Sequence, residues 1–149
     1  MSHLFFLTLH LIVASIWVGG HIFLVTCLFP GILKRKDNAA LTAFEKKYEP
    51  LGIPALITLV ITGFLMAFDY GIKWADLFSF STAIERVVST KLLLLILTVC
   101  FALSAQFRVI PSLKKSPDKL VEMAIHATAV TLIGITLLVL GSFVRYGGF

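Results

Sequence analysis

Charged residues and cysteines are both scarce in this chain. Asp, Glu, Lys and Arg make up 14% of its 149 residues, whereas a soluble domain carries nearer a quarter. The chain has two cysteines and no CxxC or CxxCH motif, which excludes a covalently attached c-type haem and a zinc knuckle. We interpret Cys27 and Cys100 as small buried hydrophobic residues. The N-terminal segment lacks a basic n-region and its apolar run is too long for an h-region, so we expect a permanent first helix.

Long apolar runs make up most of the chain, and 58% of its residues are hydrophobic. Lipid offers no hydrogen-bond partners to the backbone, so runs near ~20 residues must cross it as helices. The sequence predicts an all-α fold, an integral membrane four-helix bundle, with residues 1–149 forming a single domain. Pro30-Gly31 predicts the end of the first helix, and Pro54 is expected in the first turn of the second. The predicted helices are approximately Leu4–Phe29, Leu51–Phe68, Val87–Phe107 and Leu120–Val144.

Basic residues are concentrated in two connecting segments. Residues 31–50 and 108–119 together hold nine of the thirteen Lys and Arg residues. The positive-inside rule predicts that both segments are cytoplasmic and that both termini lie outside, which in a bacterial inner membrane is the periplasm. The net charge of +5 is therefore mainly a topology signal, and no pattern of basic and base-stacking residues predicts nucleic-acid binding. The expected surroundings are a lipid bilayer. The four basic residues predicted on the opposite side are Lys73, Arg86, Lys91 and Arg145.

Two histidines interrupt the first apolar run, in the stretch HLIVASIWVGGH. His10, Ala14, Trp17 and His21 fall at i, i+4, i+7 and i+11, which is one face of a helix. The two imidazoles are then ~16 Å apart along the axis. His3 precedes His10 by seven residues and shares this face. Polar side chains in hydrocarbon are costly and usually functional, so these positions predict a site.

The fourth histidine, His126, has a predicted depth that matches His21. We place them ~9 and ~12 Å from the cytoplasmic ends of their helices. Two imidazoles at one depth on different helices are typical of a b-type haem with two histidine ligands, which predicts an inner haem. Gly19, Gly20 and Ala127 would then provide a flat surface for the porphyrin.

The outer histidine, His10, has no second histidine at its depth, and the partner we consider is Lys91. That lysine has three interpretations: a snorkelling cation, an amine ligand to a metal, or a cation paired with a haem propionate. The arginines are further propionate partners, with Arg86 and Arg145 on the outer side and Arg108 on the inner side.

The stretch HLIVASIWVGG resembles the CopD/HemJ group of small membrane proteins, whose first helix carries H-x6-W-x2-G, here His10, Trp17 and Gly20. HemJ-type proteins are similar again at FEKKYEPLGIPALITLVITGFLM and at the lysine of STKLLLLIL, Lys91. The resemblance spans nearly the whole chain. A HemJ-like relationship implies haem b on His10, involvement of Lys91 and protoporphyrinogen oxidation. A CopD-like relationship, which the WVGG run favours, implies copper resistance or uptake. His21 and His126 are outside the HemJ pattern and point to a second haem or metal site.

Three hypotheses follow for the function. We favour a haem b membrane cytochrome with one or two haems, on His21 and His126 and on His10. Such a protein transfers electrons or acts as a haem-dependent membrane oxidoreductase, with a quinone, a periplasmic redox protein or a metal ion as partner. The alternative is a CopD-like copper transporter, although soft Cys and Met ligands are few. Under this alternative, the N-terminal residues Met1-Ser2-His3 offer a copper(II) site through the terminal amine, two backbone amides and the His3 imidazole. The third hypothesis is a structural subunit of a larger membrane complex. The sequence is also compatible with a homo-oligomer.

Overall fold

Four long helices make up the computed structural model, which describes residues 2–113 and 119–149. Each helix is long and apolar enough to cross a membrane, and the part of the chain that is described contains no strand. The predicted all-α membrane bundle is therefore confirmed. The helices are α1 (Ser2–Phe23, continued by a π-helical turn Leu24–Leu28 and an α-helical segment Phe29–Arg35), α2 (Asn38–Asp69), α3 (Ala83–Ser104, continued by a π-helical turn Ala105–Val109 and an α-helical segment Ile110–Leu113) and α4 (Lys119–Arg145).

The first helix extends past its predicted end at Phe29. Pro30 lies in the first turn of the segment that follows a π-helical turn, where a missing N–H and a fixed φ are tolerated. The helix continues to Arg35 and ends where Lys36 adopts a left-handed conformation with φ of 53°. The Pro-Gly pair was therefore misleading as an end signal.

The second helix begins thirteen residues before the predicted Leu51, at Asn38. Asp37 caps it, with Oδ1 accepting from the Ala40 N–H at 2.9 Å. Pro54 therefore lies inside α2 rather than in its first turn. The segment 38–50 is rich in Ala, Glu and Lys, which favour helix even where the hydrophobicity is too low to predict a membrane span. Asn38 also joins α2 to the end of α3, because its Nδ2 donates to the Leu113 carbonyl at 2.7 Å.

The third helix has a capping box at its start, after a short 3₁₀ turn, Trp74–Asp76. Thr82 Oγ1 accepts from the Glu85 N–H at 3.2 Å, and the Glu85 carboxylate accepts from the Thr82 N–H at 3.3 Å and from the Ser79 hydroxyl. These bonds satisfy backbone donors that a helix start leaves unpaired. They fix the point at which α3 begins.

In the part of the chain that the structure describes, apolar side chains pack in three clusters along the bundle. The middle cluster, which we define as Trp17, Val18, Ala55 and Val130, joins α1, α2 and α4. Gly134 of α4 permits this packing, because a Cβ there would lie 3.2 Å from the Trp17 ring. The middle cluster divides the bundle into two halves. The other two clusters are centred on Leu41, Val109 and Leu120 and on Ala67, Ile72 and Leu77.

Candidate metal site

All three histidines of α1 face α2. His3 Nδ1 contacts Asp69 Oδ2 at 3.2 Å, and His10 Nδ1 contacts Thr62 Oγ1 at 2.7 Å. The His21 ring meets the ring of Tyr48 edge-on, with centroids 5.8 Å apart. We call His3, His10 and His21 the histidine row. It follows the α1–α2 seam on both sides of the middle cluster.

Hydrogen bonds fix the tautomers of the two deeper histidines of the row. The Thr62 hydroxyl donates to the Thr58 carbonyl at 2.7 Å, so it accepts from the His10 Nδ1–H. His21 donates its Nδ1–H to the Trp17 carbonyl at 2.8 Å. A neutral imidazole that donates through Nδ1 has a lone pair on Nε2. Binding of metal by one ring nitrogen, with the other held by an internal acceptor, is the usual arrangement of histidine ligands.

Tyr48 controls the surroundings of His21, and the sequence analysis missed it. Its hydroxyl donates to the Trp17 carbonyl at 2.8 Å, the same oxygen that accepts from His21. Its ring fills the space beside Gly20 and Gly52, where an added Cβ would collide with it. The sequence signal for Tyr48 was indirect. It was the presence of Gly20 and Gly52, because a glycine in a membrane helix often marks the close approach of another group.

In the outer half of the bundle, His10 packs against α2 and Lys91 packs against α4. Glycines flank both side chains. A Cβ at Gly63 would lie 3.7 Å from His10 Cε1, and one at Gly141 would lie 3.5 Å from Lys91 Nζ.

His126 belongs to a different seam. It is buried between α3 and α4, where Nδ1–H donates to the Glu122 carbonyl at 2.9 Å and Nε2 accepts from the Ser104 hydroxyl at 3.0 Å. The Phe101 ring covers its edge at 5.4 Å. The structure therefore does not bring His126 and His21 into contact.

These contacts test whether an inner haem fits. His126 lies in the α3–α4 seam whereas His21 lies in the α1–α2 seam, and the predicted flat face at Gly20 is covered by the ring of Tyr48. Gly19 is exposed, with no atom within 4 Å of an added Cβ, so it faces away from this side of the bundle. Ala127 is buried in an apolar cluster. The residues predicted to hold the inner haem do not form a cradle for it.

Three arginines were predicted to pair with haem propionates, and two of them have other partners. Arg86 Nε donates to the Phe149 oxygen at 2.5 Å. Arg108 forms an ion pair with Glu122 at 2.6 Å. Arg145 is exposed at the end of α4. Two of the three arginines therefore have partners within the protein.

The N-terminal copper(II) site needs the Nδ1 atom of His3, and here that atom contacts Asp69. Met1, whose amine would complete the site, lies outside the described residues. Across residues 2–113 and 119–149, no group of three or more His, Cys, Asp and Glu side chains is gathered.

The prediction that both cysteines are buried is wrong. Cys27 and Cys100 are exposed on the faces of their helices. In a membrane protein a small apolar side chain gains as much from lipid as from the protein interior, so low polarity does not predict burial. Cys100 lies in the same cleft as His126, between α3 and α4.

Four helices long and apolar enough to cross a membrane, with a row of imidazoles in one seam, define a multi-pass membrane protein. The family model for copper resistance protein D, CopD, matches residues 42–144, which is more than half of the chain. The chain belongs to this family, as its resemblance to the CopD/HemJ group predicts. The match covers α3, α4 and most of α2, and α1 precedes it. Neither the curated proteins nor the solved structures contain a match.

Proposed function

We propose that this protein binds copper ions on Nε2 of His10 and His21 and carries copper across the membrane along the α1–α2 seam. The observation that carries the proposal is the histidine row, with Nδ1 of His10 held by Thr62 and Nδ1 of His21 held by the Trp17 carbonyl. Imidazole nitrogen is a good ligand for copper. Membership of the CopD family supports copper as the ion. Haem was our favoured hypothesis from the sequence, and the family match favours the copper alternative instead.

The route has two halves. The contact of His3 with Asp69 places a carboxylate at one end, where its negative charge attracts cations before they reach His10. His10 and His21 are ~16 Å apart along α1, too far for one ion to bind both. Trp17 lies between them and is only 5% exposed, so the middle cluster closes the seam. Passage of an ion requires α1 and α2 to separate at this cluster, as expected for a transporter that alternates between two open states.

We propose that both termini lie outside the inner membrane, because nine of the thirteen Lys and Arg residues are in the segments that face the other way. Reporter fusions at Asn38 and at Ser116, which lies outside the described residues, should both behave as cytoplasmic. A periplasmic signal from either fusion would contradict this orientation.

Copper binding by the row is tested with the purified full-length protein in detergent. We expect the wild-type protein to retain copper(II) after desalting, and we expect His10→Ala and His21→Ala each to lose about one equivalent because each removes one ligand. His126→Ala is the matched control, since it removes an intramembrane imidazole from the other seam. Elemental analysis per protein gives the result. Equal copper(II) content in all four proteins would contradict the proposal.

Haem b in the outer half is the second candidate. His10 Nε2 would hold it and Lys91 would serve as second ligand or propionate partner, with Gly63 beside His10 and Gly141 beside Lys91. When bound, the haem would supply one-electron chemistry, with a quinone or an outer redox protein as partner. The pyridine haemochrome spectrum separates the two candidates. A sharp α-band that disappears in His10→Ala would favour haem, and its absence from a copper-loaded protein would favour copper.

A further inference from the structure

A cleft of about 300 Å³ opens between α3 and α4, away from the histidine row. It extends from Leu97 to Arg108, or ~16 Å along this helix. One end lies among apolar side chains and the other lies beside the ion-paired Arg108 and Glu122. Its lining residues are Leu97, Cys100, Phe101, Ser104, Arg108 and His126.

Ser104 makes an unusual hydrogen bond in this cleft. Serine and threonine side chains in these helices mostly donate to the carbonyl four residues earlier, as Thr98 does to Leu94 and Thr131 does to Ala127. Ser104 donates instead to His126 Nε2 at 3.0 Å. Rotation of its χ1 angle would return the hydroxyl to the carbonyl of Cys100 and leave the Nε2 lone pair open. The hydroxyl therefore acts as a removable cap on a buried imidazole.

Cys100 lies one helical turn before Ser104 and lines the same cleft. Among the described lining residues, its thiol and the His126 imidazole are the two groups that can bind a metal. A thiolate with an imidazole is a softer donor set than imidazole alone, and soft donors select copper(I). The α1–α2 seam offers imidazoles and a carboxylate, and the contacts described for it include no sulfur atom.

We propose that Cys100 and His126 form a copper(I) site in the α3–α4 cleft, with Ser104 as its displaceable cap. The inference rests on the proposed function for copper as the ion. On binding, the Cys100 sulfur loses its proton to water and forms a bond to copper(I), His126 Nε2 forms the second bond, and the Ser104 hydroxyl turns to its own helix. No electron is transferred.

Charged side chains lie at the mouth of the cleft. Glu122 accepts from Arg108 at 2.6 Å and from Lys119 at 2.6 Å, and its backbone carbonyl holds His126. The Arg108 guanidinium offsets the negative charge of a thiolate formed within the cleft.

The test is a titration of the full-length protein with copper(I) against a chromophoric copper(I) chelator, in detergent and without oxygen. We expect Cys100→Ser and His126→Ala each to lose one copper(I) equivalent. Cys27→Ser is the matched control, because Cys27 is the other exposed cysteine, and it should keep that equivalent. Ser104→Ala removes the competing hydrogen bond, so copper(I) should bind about 2- to 10-fold more tightly.

Alkylation of Cys100 gives a second measurement that does not depend on a disruptive variant. In the Cys27→Ser background, one equivalent of copper(I) should slow the reaction of Cys100 with a maleimide. An unchanged alkylation rate, or copper(I) binding that is the same in Cys100→Ser and Cys27→Ser, would overturn the inference. If those two cleft measurements fail while copper(II) binding still depends on His10 and His21, only the cleft site is contradicted. Conversely, copper(II) binding that is independent of the row contradicts the proposed function alone.

Discussion

Copper transport into proteoliposomes is expected to fall at least about 100-fold when His10 is replaced by alanine, because the outer half of the seam loses its metal ligand. The wild-type ring is held for binding by Thr62, which accepts from Nδ1–H at 2.7 Å. Alanine removes the imidazole and leaves a buried hydroxyl in the apolar seam. The measurement is the initial rate of copper entry, monitored with a copper-sensitive dye inside the vesicles.

Thr62 provides matched controls for this prediction. Thr62→Ser keeps the hydroxyl and should transport copper nearly as fast as the wild-type protein. Thr62→Val keeps the shape but cannot accept from His10, so we expect about a 10- to 100-fold loss, as for other groups that orient metal ligands. If transport were unaffected by His10→Ala, copper would not pass along this seam.

Replacing Gly20 by alanine is expected to reduce the free energy of unfolding by about 1–3 kcal/mol, because the new methyl group must displace the Tyr48 ring. Movement of that ring also breaks the donation from its hydroxyl to the Trp17 carbonyl, now 2.8 Å long. Copper(II) binding at His21 should weaken as well, since the same carbonyl holds the imidazole. Thermal unfolding in detergent and the copper content measure the two effects.

The neighbouring glycine is the control. Gly19 has no atom within 4 Å of an added Cβ, so Gly19→Ala should leave copper binding unchanged. It should also raise stability slightly, because alanine favours helix over glycine by ~1 kcal/mol. Equal destabilisation by both substitutions would mean that Tyr48 does not occupy the space beside Gly20.

The fold was largely predictable from hydrophobicity, because a lipid-exposed backbone must be helical and four runs were long enough to span the membrane. The helix ends were less predictable. Hydrophobicity marks where a helix enters lipid, but α2 continues to Asn38 through polar residues that favour helix. Pro30 marked an end that does not exist, since a π-helical turn accommodates it.

The candidate site was predictable along one helix and not between helices. Helical spacing placed His10 and His21 on one face of α1, and the structure has both facing α2. Depth alone suggested His126 as the partner of His21, but depth does not say which seam a side chain faces. Thr62 and Tyr48 gave no sequence signal of their own, because such residues are common in membrane helices.

Electron paramagnetic resonance of copper(II) bound to protein labelled with ¹⁵N-histidine tests the central claim most directly. Hyperfine coupling to histidine nitrogen reports whether the ion is bound by imidazole. We predict ¹⁵N coupling in the wild-type protein, and its loss together with the bound copper in the variant with both His10→Ala and His21→Ala. Bound copper that shows no histidine nitrogen coupling, or coupling that persists in the double variant, would contradict the account.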